Sequence, residues 1–382
     1  MKKNSVFLSI LLLAALPAHA DKYESIRQEI RQAIARGNDF LAAKQHPDGH
    51  WDDAQLPAIT ALAVSAAARD PRHTSQPLPA NIRKGYGWLL AQQKPDGGIY
   101  NRGLSVYNTA ISVTALMAGP YKEHEPAIIK ARKHLIDNQW DHGKKQETDE
   151  PGDGGVGYGA GSDKPHNDLS NTYLAIEALA LSKKLIDDGK FGGQPDLDWQ
   201  AAITFVSRCQ NLEKTNDREW ASDDPKNKGG FVYNTKDSKA GEEKTPEGRT
   251  ALRSYGSMSY AGLLSLVYAK VSASDPRVEA VKEWLTKNYT VAENPGMGDQ
   301  GLYYYFHVMA KALTAANVND LRLASGKQRD WRSDLADAIL SKQKGDGSWI
   351  NSNGRWMESN PILVTAYSVL ALEQILASIP AG

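Results

Sequence analysis

The stretch FLAAKQHPDGHW, residues 40–51, decides the fold because it recurs. WLLAQQKPDGGIY covers residues 88–100, and AILSKQKGDGSW covers 338–349. In each, a helical run ends in glutamine (Gln45, Gln93, Gln343). A Pro/Gly-Asp-Gly turn follows, then an aromatic or apolar residue six positions on: Trp51, Ile99, Trp349. Asp and Gly favour tight turns, and Gly takes positive φ at little cost. Weaker copies lie between. HLIDNQWDHG reaches Gln139 and resumes at GGVGYG; FVSRCQNLEK reaches Gln210 and resumes at GGFVYN. WLTKNYTVAENPGMGDQG carries Asn288 in the glutamine position. Six copies of 20–50 residues or more mark a repeat architecture, with the longer steps absorbed by insertions in the third and fourth loops, at about 140–168 and 211–255.

A second helix follows every turn. Segments such as AITALAVSAAA, NTAISVTALMA and SMSYAGLLSLVYA are rich in Ala and Leu and nearly free of charge. A helix apolar all round is buried on all sides, whereas RQEIRQAIARGNDFL and VEAVKEWLTKN show one apolar stripe among charges. Alternation of six outer and six inner helices predicts an all-α fold, an α/α6 toroid of helical hairpins, with a linear solenoid as the alternative.

The phrase Gln…Asp-Gly-x-Trp resembles the QW motif of squalene and hopene cyclases. The hairpin repeat is similar to that of protein prenyltransferase β-subunits and of the thioester domains of complement-type proteins. The resemblance covers about residues 22–378 and implies a toroid in which Gln45, Trp51, Gln93, Gln343 and Trp349 tie outer helices together. The family chemistry does not carry over. The Asp-rich D-x-D-D phrase of the cyclases does not occur; DLDW at 196–199 is nearest, at the start of an outer helix. Cys209 ends an outer helix and reads as a small buried hydrophobe rather than a prenyltransferase zinc ligand. The Gly-Cys-Gly-Glu-Gln phrase of thioester domains is missing.

The first twenty residues, MKKNSVFLSILLLAALPAHA, read as a secretory signal peptide cut after Ala20, which makes the protein exported, periplasmic or secreted. The apolar run is short for a membrane span, and no transmembrane segment is expected in the mature chain. Lys+Arg and Asp+Glu number 45 each, a balance that points to neither nucleic acid nor an anionic membrane. With one cysteine, the chain has no internal disulfide and no cysteine-cluster metal site, so no metal and no cofactor is expected. The loop QETDEPGDGGVGYGAGSD offers Asp149, Glu150 and Asp153, but without the alternating spacing of a calcium loop it reads as a flap.

Candidate site residues come from aligning the inner helices. Thr60, Thr109, Thr172, Ser259, Tyr304 and Thr365 are placed in one column, and three positions on stand Ala63, Ser112, Ala175, Gly262, His307 and Ser368. In that alignment His307 replaces a small residue. It is either a satisfied core histidine or a proton donor, acceptor or ligand contact, since His titrates near neutrality. Asp299, two turns before it, is its candidate catalytic partner. Tyr305 aligns with Tyr173 and Tyr260 as an aromatic wall, against the alternative of core packing. His166, Asp168, Asn171, Arg253 and Tyr255 are placed near the mouth, with Asp168 and Ser170 also good helix N-caps. Glu177 stands among alanines and leucines, either buried or facing solvent. The expected function is a cavity that binds, or binds and transforms, an apolar or terpenoid-like ligand. The alternatives are a non-catalytic protein-interaction toroid with a protein partner, and a polysaccharide lyase or hydrolase built on Arg253, Tyr255 and His307.

Overall fold

The computed structural model describes residues 23–73, 77–159, 167–187, 191–245, 248–323 and 325–380. The predicted signal segment and His166 lie outside the described residues. Six outer helices precede the turns: α1 (Glu24–Ala43), α3 (Ala80–Ala91), α5 (Tyr121–Asp137), α8 (Trp199–Ser207), α10 (Pro276–Lys287) and α12 (Trp331–Leu340). Six inner helices follow them: α2 (Pro57–Ala68), α4 (Ser105–Ala118), α6 (Leu169–Ser182), α9 (Gly256–Tyr268), α11 (Leu302–Ala315) and α13 (Pro361–Ser378). A single turn, α7 (Lys184–Asp187), trails α6. The long fourth loop holds a small antiparallel hairpin, β1 (Glu242–Lys244) with β2 (Thr250–Leu252), and the connection after α11 holds another, β3 (Leu321–Arg322) with β4 (Gln328–Arg329).

Each inner helix packs on the next, α2 on α4, α4 on α6, α6 on α9, α9 on α11, α11 on α13, and α13 returns to α2. That last contact makes the array a closed α/α6 toroid rather than a solenoid. Outer helices sit in the grooves between: α1 against α13 and α2, α3 against α2, α12 against α11 and α13. The inner helices are buried because they are covered on both flanks by neighbours and on the outside by the outer ring. α13 is long and apolar enough to cross a bilayer by composition, yet two-thirds of it is buried in the toroid wall.

The turn glutamines link the outer ring. Gln45 Nε2 donates to Asn81 O of α3 and to Gly49 O of its own turn, each at 2.9 Å. Gln93 does the same to Ala127 O of α5, Gln139 to Asp198 O at the start of α8, and Gln210 to Arg277 O of α10. Gln343 at the end of α12 donates to Ala33 O of α1 at 3.0 Å, so the outer ring also closes. Asn288, one methylene shorter, bonds among the described residues only back to Trp284 O in its own helix. The glycine of each Asp-Gly turn lies against the next outer helix: a Cβ on Gly97 (φ 88°) would strike Lys130 O, and one on Gly347 (φ 88°) would strike Arg36 O. Only glycine meets both the positive φ and the close approach.

The aromatic after the turn is locked from both sides. The Trp51 indole donates to Leu41 O at 2.7 Å and the Trp349 indole to Ile339 O at 2.8 Å. The backbone N–H of Trp51, Ile99, Val156, Phe231 and Trp349 donates to the hydroxyl of Thr60, Thr109, Thr172, Ser259 and Thr365 at 2.9 to 3.1 Å. This bond is the physical meaning of the threonine column in five repeats. Cys209 is a buried free thiol in the core.

Candidate ligand-binding lumen

The inner helices enclose a central cavity of about 110 Å³, well above the ~10–15 Å³ that one water needs on the same measure. Its lining repeats a helical spacing of three then four. Leu62, Ser65 and Arg69 come from α2, Leu174, Glu177 and Leu181 from α6, Tyr304, His307 and Lys311 from α11, and Leu370 and Gln374 with Tyr367 from α13. Side chains at i, i+3 and i+7 share one face of a helix.

This spacing corrects the sequence alignment. Relative to the threonine anchors, lumen positions stand two, five and nine residues on. Tyr304, His307 and Lys311 occupy them only if Leu302, not Tyr304, takes the threonine place. The fifth repeat is two residues out of the expected register because α11 starts late: NPGMGDQG replaces its first turn, and Gly301 (φ 64°) precedes Leu302. Glu358 supplies a carboxylate cap in place of the missing turn, accepting from Tyr304 N at 2.8 Å. His307 therefore does not stand in the small-residue column; it shares the lumen layer of Ser65, Thr114 and Glu177.

Two layers follow. Nearer the helix starts are Tyr107, Tyr173, Tyr304 and Tyr367. Tyr304 and Tyr367 meet edge to face at 6.0 Å, and the Tyr304 hydroxyl lies 3.2 Å from Ser170 Oγ. Toward the helix ends the lumen turns polar. Lys311 Nζ donates to Glu177 Oε2 in a buried ion pair whose side chains are 8% and 3% exposed. The Tyr268 hydroxyl donates to the other carboxylate oxygen at 3.3 Å, and Lys311 sits over the Tyr173 ring at 5.5 Å. Burial lowers the Lys311 pKa, with Glu177 opposing. The His307 ring stacks on Tyr367 at 5.4 Å. Burial, then the charges of Lys311 and Arg69, hold its pKa well below the usual value, so the imidazole is neutral at physiological pH. Its Nδ1 has no hydrogen-bond partner among the described residues.

The other sequence candidates are placed as follows. Asp299 is exposed and accepts from Asn353 Nδ2 at 3.0 Å, so it does not pair with His307. Tyr173 lines the lumen, but Tyr260 and Tyr305 do not: their rings pack on each other at 5.7 Å, and the Tyr305 hydroxyl donates to Thr290 O at 2.7 Å. The three-tyrosine wall dissolves because it rested on the shifted register. Asn171 is spent on Asp168, donating from its backbone and side chain at 2.8 Å each. Burial pushes that Asp168 carboxyl up to about 6. Arg253 is exposed and outside the lumen, and Tyr255 is buried at the start of α9. In the acidic loop, Asp149 accepts from Lys144 N, and Asp153 from His142 N and Glu150 N, so these carboxylates serve the loop's own backbone. No cluster of three metal-ligating side chains occurs among the described residues. Asp196 and Asp198 of DLDW are structural: Asp196 pairs with Arg132 at 2.9 Å and Lys183 at 2.6 Å, and Asp198 caps α8.

Arg69, Lys311, Gln374 and the lumen tyrosines Tyr107, Tyr268 and Tyr367 escaped the sequence reading, which set Tyr304 in the threonine column instead of on the lumen. Lys311 had a visible signal, a lone charge in an otherwise apolar inner helix. The shifted register hid its face.

Comparison with known proteins agrees with this architecture. No family model matches the chain. A terpene cyclase/mutase from Nectria sp. is 28% identical over 188 residues, 44% of this chain, and the chain spans only 24% of that protein's length. The type II terpene cyclase MstE from Scytonema, in a variant solved with geranylgeranyl dihydroxybenzoate, superposes with a TM-score of 0.52 at 13% identity, over 92% of this chain and 99% of that one. A family 76 glycoside hydrolase from a bovine Bacteroides thetaiotaomicron strain gives 0.53 at 12% identity over 91% and 78%. The protein is an α/α toroid, the fold it shares with these solved structures. At these identities the structural likeness is one of fold.

Proposed function

We propose that the lumen binds a small amphiphile of prenyl or terpenoid type. One observation carries this reading: the cavity is apolar along Leu62, Ile111, Leu174 and Leu370, aromatic at one end and polar at the other. Binding sites are mostly apolar with a few placed polar groups, and this lumen has that composition. The curated cyclase likeness supports the same ligand class.

Cyclisation by alkene protonation needs a carboxylic acid facing the substrate. Among the described residues Glu177 is the one carboxylate lining the cavity, and it is committed to Lys311 and Tyr268. The same fact disfavours glycoside hydrolysis, which uses two carboxyl groups about the scissile bond. Binding or carriage therefore fits better than either chemistry, and from the signal-like first twenty residues we propose that it acts outside the cytoplasm. The test is titration of geraniol against tyrosine and tryptophan fluorescence. Ser65→Trp, which fills the lumen from α2, is expected to abolish binding while circular dichroism stays native. Unchanged geraniol binding by that variant would place the ligand elsewhere and end the proposal.

A further inference from the structure

The polar end of the lumen holds a cation with no direct partner. Arg69, the residue that ends α2, lines the cavity and is half-buried. Its guanidinium makes no hydrogen bond or ion pair with any described residue, although Arg72, three residues on, is paired to both Asp70 and Asp39. The other lumen cation, Lys311, is matched by Glu177. A second buried carboxyl, Glu373 on α13, has both oxygens unpartnered. Burial pushes its pKa up, the charge of Arg69 opposes that shift, and no hydrogen bond or ion pair joins the two side chains among the described residues.

Two more unsatisfied polar groups face the same space from adjacent helices. Gln374 of α13 lines the cavity with no side-chain bond among the described residues, and His307 of α11 is 7% exposed with Nδ1 unpartnered. α11, α13 and α2 are consecutive in the inner ring, so the three groups come from neighbouring walls. Buried polar groups are ordinarily satisfied. The His307 nitrogen is the buried exception, and Arg69 and Gln374, both half-buried and without side-chain partners among the described residues, line the same cavity.

We infer that the ligand carries a carboxylate, gripped by Arg69 with Gln374 and His307 as flanking donors, its apolar tail running toward the tyrosine layer. The inference rests on the reading of the lumen as an amphiphile site and names its headgroup. A guanidinium fork matches a carboxylate with two parallel hydrogen bonds. The Gln374 amide donates, and the neutral His307 ring donates from one nitrogen. A diphosphate carries more negative charge than one guanidinium balances, whereas a monoanion leaves the polar end neutral.

The experiment compares geranic acid, its methyl ester and geraniol by isothermal titration calorimetry on the full chain and on Arg69→Met, Arg69→Lys and Gln374→Leu. The acid is expected to bind the unmodified protein at least roughly tenfold tighter than the ester. Arg69→Met is expected to erase that preference, and Arg69→Lys to restore part of it. Gln374→Leu, far from any charge change, is expected to reduce the preference without removing it. Equal affinity for acid and ester, or a preference that survives Arg69→Met in a folded variant, overturns the headgroup inference and leaves the lumen reading intact. Failure of all three compounds to bind overturns both.

Discussion

The Glu177–Lys311 pair joins helices α6 and α11 across the lumen, and its removal gives a quantitative test of the polar layer. The side chains are 3% and 8% exposed, so each charge depends on the other. Lys311→Met leaves the carboxylate with the Tyr268 hydroxyl alone, and orphaning one member of a buried pair costs about 3–5 kcal/mol. Glu177→Leu is expected to cost less than Lys311→Met. Burial already lowers the Lys311 pKa, so the orphaned amine sheds its proton. The double variant Glu177→Leu/Lys311→Met removes both desolvation penalties and is expected within about 1 kcal/mol of the parent. Unfolding entropy of about 2.1 cal/mol/K per residue, over a chain of this length, converts 3–5 kcal/mol into a drop in Tm of roughly 4–6 °C. The assay is thermal unfolding of the four proteins at one pH and salt concentration, read as a double-mutant cycle. Costs that add, with a coupling below about 0.5 kcal/mol, would show that the two groups do not pair and would refute the lumen geometry.

Three further outcomes follow from other parts of the ring. Gln343→Ala removes the bonds to Ala33 O and Gly347 O and is expected to cost about 1–2 kcal/mol in urea unfolding, whereas Asn288→Ala, which bridges no helices, costs less; equal costs would mean the glutamine link is idle. Glu373 has its carboxyl pKa raised by burial, so the folded state holds a proton that the unfolded state gives up. Its contribution is therefore complete below the unfolded value and becomes destabilising as pH rises above it; Glu373→Gln should gain stability relative to the parent from pH 4 to pH 7, and a constant difference across that range would contradict its burial as a neutral acid. His307→Phe, which keeps the stacking on Tyr367, should leave Tm within a few degrees yet weaken geranic acid binding several-fold, roughly the loss of one hydrogen bond to a charged group.

Helix type, repeat number and the roles of the turn residues were legible in the chain because they are local. A Pro/Gly-Asp-Gly turn, a glutamine one helical end before it and an all-apolar helix after it each carry their own physical signal over a dozen residues. The toroid itself could be read the same way, since six apolar helices have nothing to bury against but one another. The fifth repeat escapes because its turn lacks the aromatic or apolar residue that marks the others, which leaves its helix without an anchor for its register. A slip of two residues on a helix turns a side chain by about 200°, enough to move His307 from lumen to packing face and to line up Tyr305 with Tyr173 and Tyr260.

What the sequence determined by itself is thus the alternation of outer and inner helices in six hairpins, through hydrophobic periodicity and turn chemistry. What only the tertiary structure decided is which face of each inner helix looks into the lumen. Lys311 and Glu177 are 134 residues apart, and Arg69, His307 and Gln374 come from three separate repeats. Their convergence follows from ring closure, where α13 returns to α2, and no local pattern encodes a contact between the first repeat and the last.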